Sequence, residues 1–384
     1  MATDLARAQL LTGGEAIVEA MCQVDPDVVP VYPITPQTPI IQGYAKALAD
    51  GRAHGEMINV ESEHSAMSAA VAAAVAGART MTATSSQGLA LMAEIVYIAA
   101  SMRAPVVMAL GNRALSGPIN IHCDHSDSML IRDSGAIQLF AESAQEAYDL
   151  TVLAPRLAEH PDVLLPVIVC VDGFTITHSA EPVELLDDEQ VLDFVGEYRI
   201  PHPLLDLASP TTQGPFAMPD YYYELRRQQA AAIEDALTVF ERLGAELSLL
   251  TGRRYGAVDA YRLEGAERAL VCLGSTAGTA KDVVDDLRDE GESVGLLRIC
   301  SYRPFPAADV RAALAEVDEV VVLDRADSPG GAPPLAVEVA LAAGPVRSHV
   351  YGLGGRDLHP ADLRAVFAGT AAKYVGLRGE TCPA

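Results

Sequence analysis

Four turns in the first half of the chain carry the residues best suited to chemistry. In Tyr32-Pro33-Ile34-Thr35-Pro36-Gln37-Thr38-Pro39, three prolines within seven residues stiffen the backbone and present the Thr35 hydroxyl with little freedom. A proline-led helix start, with the threonine as an ordinary cap, accounts for the pattern equally well. Val60-Glu61-Ser62-Glu63-His64-Ser65 places two carboxylates ahead of a run of small apolar residues. A helix N-terminus attracts negative charge, so capping is one reading. The other is chemical: a carboxylate at the head of a buried helix is poorly solvated and suits proton sharing near neutral pH. Thr84-Ser85-Ser86-Gln87-Gly88 either turns hydroxyls and amides toward a ligand or caps the next helix. Finally, Gly111-Asn112-Arg113-Ala114 precedes the polar loop His122-Cys123-Asp124-His125-Ser126-Asp127. An arginine at a strand end can grip a carboxylate ligand through two hydrogen bonds, although spacing favours a pair with Asp124 or Asp127. His122 and His125 make a weak zinc signal, and we assign no metal site.

These turns need a frame. Apolar, β-branched runs at 28–32, 58–60, 80–84, 105–110 and 164–171 alternate with Ala-rich helical stretches, which predicts a parallel sheet covered on both faces. Ligands of such sheets gather beyond the C-terminal strand ends, which is where the four turns fall. An acidic stretch from Glu181 to Glu197 and a segment rich in Pro, Ser and Thr at 200–219 then read as an interdomain connection. A helix over about 221–250 closes it. Alternation resumes with strands at 269–273, 294–299 and 320–323 and helices at 276–288, 307–315 and 335–343. The expected fold class is α/β: two open, mostly parallel sheets covered by helices. The expected division is a first domain at 1–198, a connecting segment at 199–264 and a second domain at 265–384. Gly274-Ser275-Thr276-Ala277-Gly278 fits neither the dinucleotide fingerprint nor the phosphate loop. Gly352-Leu353-Gly354-Gly355-Arg356-Asp357 reads as a plain connection.

Composition removes whole classes of function. With 27 Lys+Arg against 52 Asp+Glu in 384 residues, the net charge is −25, which repels nucleic acid and anionic membrane surfaces. The longest apolar stretches, such as 67–76, fall short of the roughly 18 to 20 residues of a membrane span. The first eleven residues, with Asp4 and Arg7, lack a signal-peptide layout, so a cytoplasmic location is expected. Cys22, Cys123, Cys170, Cys272, Cys300 and Cys382 show no cluster spacing and read as reduced thiols.

The segments 32–39, 60–67, 82–91, 111–121 with 124–127, and 164–177 resemble, in order, the α subunit of the multisubunit 2-oxoacid:ferredoxin oxidoreductases. The stretch 220–228, Arg303-Pro304-Phe305-Pro306 and 352–357 are similar to the second half of that subunit. The resemblance covers nearly the whole chain. It implies a pyrimidine-type thiamine-enzyme domain followed by a transketolase C-terminal-like domain. The implied reaction is decarboxylation of a 2-oxoacid by thiamine diphosphate, with electrons passed through iron-sulfur clusters to ferredoxin and the acyl group transferred to coenzyme A. By resemblance, Glu63 is the catalytic glutamate that hydrogen-bonds the aminopyrimidine ring, with Glu61 as the fallback. Thr84 and Ser85 line the cofactor, while Thr35 and Arg113 bind the substrate carboxylate and carbonyl.

The wording Gly-Asn-Arg-Ala-Leu-Ser-Gly-Pro-Ile-Asn around Arg113, with Thr212-Gln213-Gly214, resembles the pyruvate enzymes more than the branched-chain ones. The expected function is therefore CoA-acylating oxidation of pyruvate to acetyl-CoA and CO2. The alternatives are another 2-oxoacid or a structural subunit without chemistry. The chain has no Gly-Asp-Gly for diphosphate and Mg²⁺, and Asn120 is its last asparagine. The resemblance thus implies partners: a β subunit holding the diphosphate, a γ subunit and a ferredoxin-like δ subunit carrying clusters. Where the family reads Asp-Arg-Asn, this chain reads Asp324-Arg325-Ala326.

Overall fold

A computed structural model describes residues 8–379. Cys382 and the first seven residues, part of the segment read above for a signal peptide, lie outside them. The chain opens with β1 (Gln9–Thr12), α1 (Gly13–Val24), β2 (Val28–Val31), α2 (Thr38–Ala49) and β3 (Glu56–Asn59). It continues through α3 (Glu63–Ala76), β4 (Thr80–Thr84), α4 (Ser86–Ser101), β5 (Val106–Asn112) and the short α5 (Ser126–Leu130). Then come β6 (Ile137–Phe140), α6 (Ala144–Ala158), β7 (Val167–Asp172), β8 (Ala180–Val183) and α7 (Asp188–Val195). The 33-residue α8 (Pro219–Thr251) leads to β9 (Val258–Tyr261), β10 (Arg268–Leu273), α9 (Thr276–Asp289), β11 (Val294–Ile299) and β12 (Ser301–Arg303). The last elements are α10 (Ala307–Ala313), β13 (Glu319–Asp324), α11 (Pro334–Ala343), β14 (Arg347–Val350) and α12 (Pro360–Phe367).

Two sheets form, as the alternation predicts. The seven-stranded sheet runs β12-β6-β7-β5-β4-β2-β3 and is parallel except for β12 at its edge. Every residue of β4, β5, β6 and β7 is buried, and these strands are largely apolar, with Thr80, Thr82, Thr84, Asn112, Gln138 and Asp172 as buried polar exceptions. The five-stranded sheet runs β14-β13-β10-β11-β9, with β9 antiparallel. Helix α3 lays Ala66, Met67, Ala70, Val71, Ala74 and Val75 into a core shared with α4 and both sheets. Helix α8 buries Ala232, Ala236, Val239, Phe240, Leu243 and Leu247 in the first sheet's other core. No helix among the described residues is long and apolar enough to cross a membrane. The periodicity misses the short strands β6, β9 and β14, as well as β12, which leaves its own sheet to pair with β6, and β1 and β8, which pair antiparallel as a separate two-stranded sheet.

One carboxylate joins the two halves. Asp172, at the end of β7 and 1% exposed, accepts from Ser275 Oγ at 2.5 Å, the Ser275 amide at 3.1 Å and Arg325 Nη1 at 2.8 Å. His125 Nε2 lies 2.7 Å from its other oxygen. Gly274, at φ +65, makes the turn that brings the head of α9 to this acid. Burial works to raise the Asp172 pKa, but Arg325 and His125 beside it override burial and hold it well below the usual carboxylate range. Replacing Asp172 by alanine strands Arg325 in the interior, and loss of one partner of a buried pair costs about 3 to 5 kcal/mol. The expected result is a large drop in the urea midpoint of the purified protein.

A second buried acid sets a pH dependence. Asp324 ends β13 and accepts from the Leu335 and Ala336 amides at 2.7 and 3.0 Å, capping α11 behind Pro334, which has no N–H to offer. Burial, against those two donors, pushes its pKa up to about 7 from the ordinary 3.8. Because the folded state binds this proton more tightly, its contribution is fully present below about pH 4 and is lost as pH rises through about 7. Asp324→Asn should flatten that portion of a plot of melting temperature against pH.

Candidate active site

The C-terminal ends of β2, β4, β5 and β7 meet at one face of the larger sheet. The turn after β2 is pinned from inside: Gln37, fully buried, donates through Nε2 to the Ala83 carbonyl at 2.8 Å, and its amide returns to Ile34. Pro36 lies flat on the ends of β5 and β7 because Gly111 and Gly173 lack side chains. A Cβ on Gly111 would sit 3.4 Å from Pro36 Cγ and 3.1 Å from Ser85 Oγ, and one on Gly173 would sit 2.8 Å from Pro36 Cγ. This leaves Thr35 exposed at the rim.

Arg113, 6% exposed, reaches toward this turn. Its Nε donates to the Asn120 carbonyl at 2.6 Å and its Nη1 to the Thr35 carbonyl at 3.0 Å. The expected side-chain pair with Asp124 or Asp127 does not form. Asp127 instead accepts the Arg113 backbone amide at 2.9 Å, together with the Ser86 amide at 3.0 Å and, at 2.8 Å each, Asn112 Nδ2 and the Ser128 amide. It thus fixes the end of β5 against the start of α4, where Ser86 adopts φ +47. Burial raises the Asp127 pKa to about 6 in spite of these donors. Burial also holds the Arg113 pKa below its usual value, with Asp127 opposing. The arrangement is a buried cation whose hydrogen bonds go to neutral carbonyls, and a desolvated guanidinium of this kind is a receptor for an anion.

Glu63 opens α3 and is 7% exposed. Ser62 caps the helix, accepting from the Ser65 amide at 3.2 Å, and Glu63 stands in its first turn, where the helix N-terminus favours negative charge. Thr84 and Ser85 are fully buried, and neither Thr84 Oγ1 nor Ser85 Oγ has a hydrogen-bond partner. Glu63 and Thr84 both crowd the position a Cβ of Gly88 would take, at 2.8 Å for Glu63 Oε1 and closer still for Thr84 Oγ1. An unpaired buried hydroxyl of Thr84 beside the Glu63 carboxylate, with a second on Ser85 near Gly111, fits the polar ring of a cofactor. Glu61 is exposed and is committed to Ser65 Oγ at 2.5 Å, a hydrogen bond that holds its pKa low.

The structure therefore gathers Thr35, Ser85 and Arg113 around one turn and Glu63 with Thr84 beside it. It separates the two loop histidines: His122 is exposed against Phe174, and His125 is buried on Asp172. Cys123, His125 and Asp172 do bring donor atoms within 4.8 Å of one another. However, Arg325 already occupies the Asp172 carboxylate, and burial pushes the Cys123 thiol well up, which makes a poor metal set. Ala326, the departure from the family pattern, is 1% exposed and sits in an apolar core. The sequence reading placed Asp127 only as a partner for the Arg113 side chain and gave Gly88 no role of its own. Their roles depend on strand ends that lie far apart in the chain.

The fold and these strand-end turns define a two-sheet α/β subunit of a 2-oxoacid oxidoreductase. Residues 19–244 match the family described as pyruvate flavodoxin/ferredoxin oxidoreductase, thiamine diphosphate binding. Residues 266–363 match pyruvate:ferredoxin oxidoreductase core domain II. The chain is 56% identical to the pyruvate synthase subunit PorA of Thermotoga maritima over 96% of its own length and 97% of that protein's. It is 46% identical to the PorA subunit of Methanothermobacter thermautotrophicus, over 97% and 99%. A solved 2-oxoglutarate:ferredoxin oxidoreductase from Magnetococcus marinus shares the fold, with a TM-score of 0.75 at 22% identity, over 92% of this chain and 64% of that one. The chain belongs to the pyruvate:ferredoxin oxidoreductase family and corresponds there to the α subunit.

Gly88 offers a direct test of the site's packing. Alanine favours a helix over glycine by about 1 kcal/mol, so Gly88→Ala should leave the melting temperature nearly unchanged. It should nevertheless displace Glu63 and lower the activity of the assembled enzyme by about tenfold or more.

Proposed function

We propose that this α subunit contributes Glu63, Thr84 and Ser85 to a thiamine diphosphate site and Thr35 and Arg113 to the 2-oxoacid, within a complex that oxidises pyruvate with CoA and reduces ferredoxin. The observation that carries this reading is the buried Arg113 guanidinium, hydrogen-bonded only to carbonyls among the described residues, beside the exposed Thr35. Bound thiamine diphosphate supplies a nucleophilic carbon and an electron sink for loss of CO2. Glu63 holds and exchanges a proton at its carboxylate, facing the ring's polar edge together with the Thr84 and Ser85 hydroxyls. Arg113 takes the substrate carboxylate in place of lost water, and Thr35 donates its hydroxyl to the same ligand. Pyruvate is favoured over other 2-oxoacids by the identity to pyruvate synthase subunits, and chemistry over a purely structural role by the presence of all five residues at C-terminal strand ends.

The chain requires partners in this reading. Lacking Gly-Asp-Gly and any asparagine after Asn120, it leaves the diphosphate and Mg²⁺ to a β subunit, and the iron-sulfur clusters to γ and ferredoxin-like δ subunits. The outer face of α4, which starts from the site, exposes Leu91, Tyr97 and Ile98, a stripe suited to a partner subunit. At −25 the chain repels an acidic ferredoxin, so docking falls on a less acidic neighbour. We divide the chain at 1–198, 199–264 and 265–384, although β9 of the connecting segment pairs with β11 in the second sheet and β12 with β6 in the first. Cytoplasmic residence accords with Cys22, Cys123, Cys170, Cys272 and Cys300, which are free thiols.

The test is to purify the complex from its host with Glu63→Gln and with the native chain. Loss of the exchangeable proton should lower CoA-dependent reduction of a viologen dye by pyruvate by about 10²-fold or more. A wild-type rate in the variant overturns the assignment. Native activity with a different 2-oxoacid, and none with pyruvate, retains the chemistry and corrects the substrate.

A further inference from the structure

The Gly352–Gly355 turn of the second half is not a plain connection, because it holds the loop that holds Arg113. Three hydrogen bonds tie them: Asn120 Nδ2 to the Gly354 carbonyl at 2.9 Å, the Gly354 amide to Asp124 Oδ2 at 3.1 Å and the Gly355 amide to the Cys123 carbonyl at 2.7 Å. The approach is as close as backbone permits. A Cβ on Gly354 would collide with Asn120 Nδ2, and one on Gly355 with His122 Cβ. Gly352, Gly354 and Gly355 all have positive φ, at +63, +59 and +81, so the turn is glycine-dependent in conformation as well as in space.

Asn120 is the link between this turn and the site. Its side chain is gripped at both ends, Nδ2 by Gly354 and Oδ1 by the His122 amide at 2.7 Å. Its main-chain carbonyl receives Arg113 Nε at 2.6 Å, and Arg113 Nη1 then reaches the Thr35 carbonyl. The loop is also supported by the Ala114 amide on the His122 carbonyl and the His125 amide on the Arg325 carbonyl, so the second half braces the loop at its far end too.

We propose that Asn120 is a positioning residue for 2-oxoacid binding: through Gly354 it lets the second domain set where the Arg113 guanidinium stands. This rests on the reading of Arg113 as the substrate-binding cation. It assigns the second sheet, which contributes no group to the reaction proposed above, a part in substrate affinity. A guanidinium displaced by about 1 Å loses much of its bidentate fit. The loss should fall on the 2-oxoacid and spare CoA.

The assembled complex, with all its subunits, is assayed as Asn120→Ala, Gly354→Ala, the double variant and Arg113→Lys. Asn120→Ala and Gly354→Ala should each raise KM for pyruvate by about tenfold and leave KM for CoA unchanged. The double variant should be no worse than the weaker single one, because both cut the same link. Asn120→Asp, equal in size and unable to donate to the Gly354 carbonyl, should reproduce the effect even if alanine at 120 prevents assembly. A wild-type KM for pyruvate in Asn120→Asp, with a raised one in Arg113→Lys, overturns the link while the reading of Arg113 stands. A wild-type KM in Arg113→Lys overturns that reading and the link with it. Equal increases in KM for pyruvate and for CoA would mark a general loosening and likewise overturn the proposal.

Discussion

The relative placement of the two sheets turns on the Asp172 carboxylate, together with the apolar core they share and the Arg298 pair with Glu146. The Asp172 carboxylate is supplied by the first sheet and satisfied by the second, through Ser275 and Arg325. A buried ion pair of this kind adds little net stability over an apolar contact, but it tolerates only one geometry, since any shift strands a charge away from water. That geometry places the turns after β13 and β14 beneath the loop from Asn120 to Asp127. The residue after Asp172 is Gly173, on which Pro36 rests, so the same strand end supports the Thr35 turn from the other side.

The site itself is assembled from groups left unsatisfied by the fold. Arg113 is buried among carbonyls, and Thr84 and Ser85 bury hydroxyls with no partner. The structural acids nearby are well supplied: Asp127 collects four N–H donors and Asp324 two. Gly88 and Gly111 keep volume free where a methyl group would meet Glu63 or Ser85.

The division of labour among subunits has a physical basis in this chain. It can offer a cation, hydroxyls and a carboxylate to small organic groups, but its surplus of acid and its lack of a Gly-Asp-Gly make it unsuited to a magnesium diphosphate. In the function proposed above, such a chain takes the ring and the substrate and leaves phosphate and metal to a neighbour.

Much of this was legible in the sequence. The alternation of apolar strands with Ala-rich helices determined two parallel sheets, because a strand covered on both faces must be apolar throughout. Parallel sheets in turn put the useful turns at one end, so Thr35, Glu63, Thr84, Ser85 and Arg113 were identifiable as neighbours in kind. Their wording also determined the family. Which partner each took was decided only by tertiary structure. The Arg113 guanidinium bypassed the nearby acids for the carbonyls of Thr35 and Asn120, because its own backbone amide had already engaged Asp127. Strand β12 left the second sheet for the first, and Gly354 met Asn120 across 234 positions of chain. Periodicity reports which face of an element is apolar. It carries no information about hydrogen bonds between segments that only the packed chain brings within 3 Å.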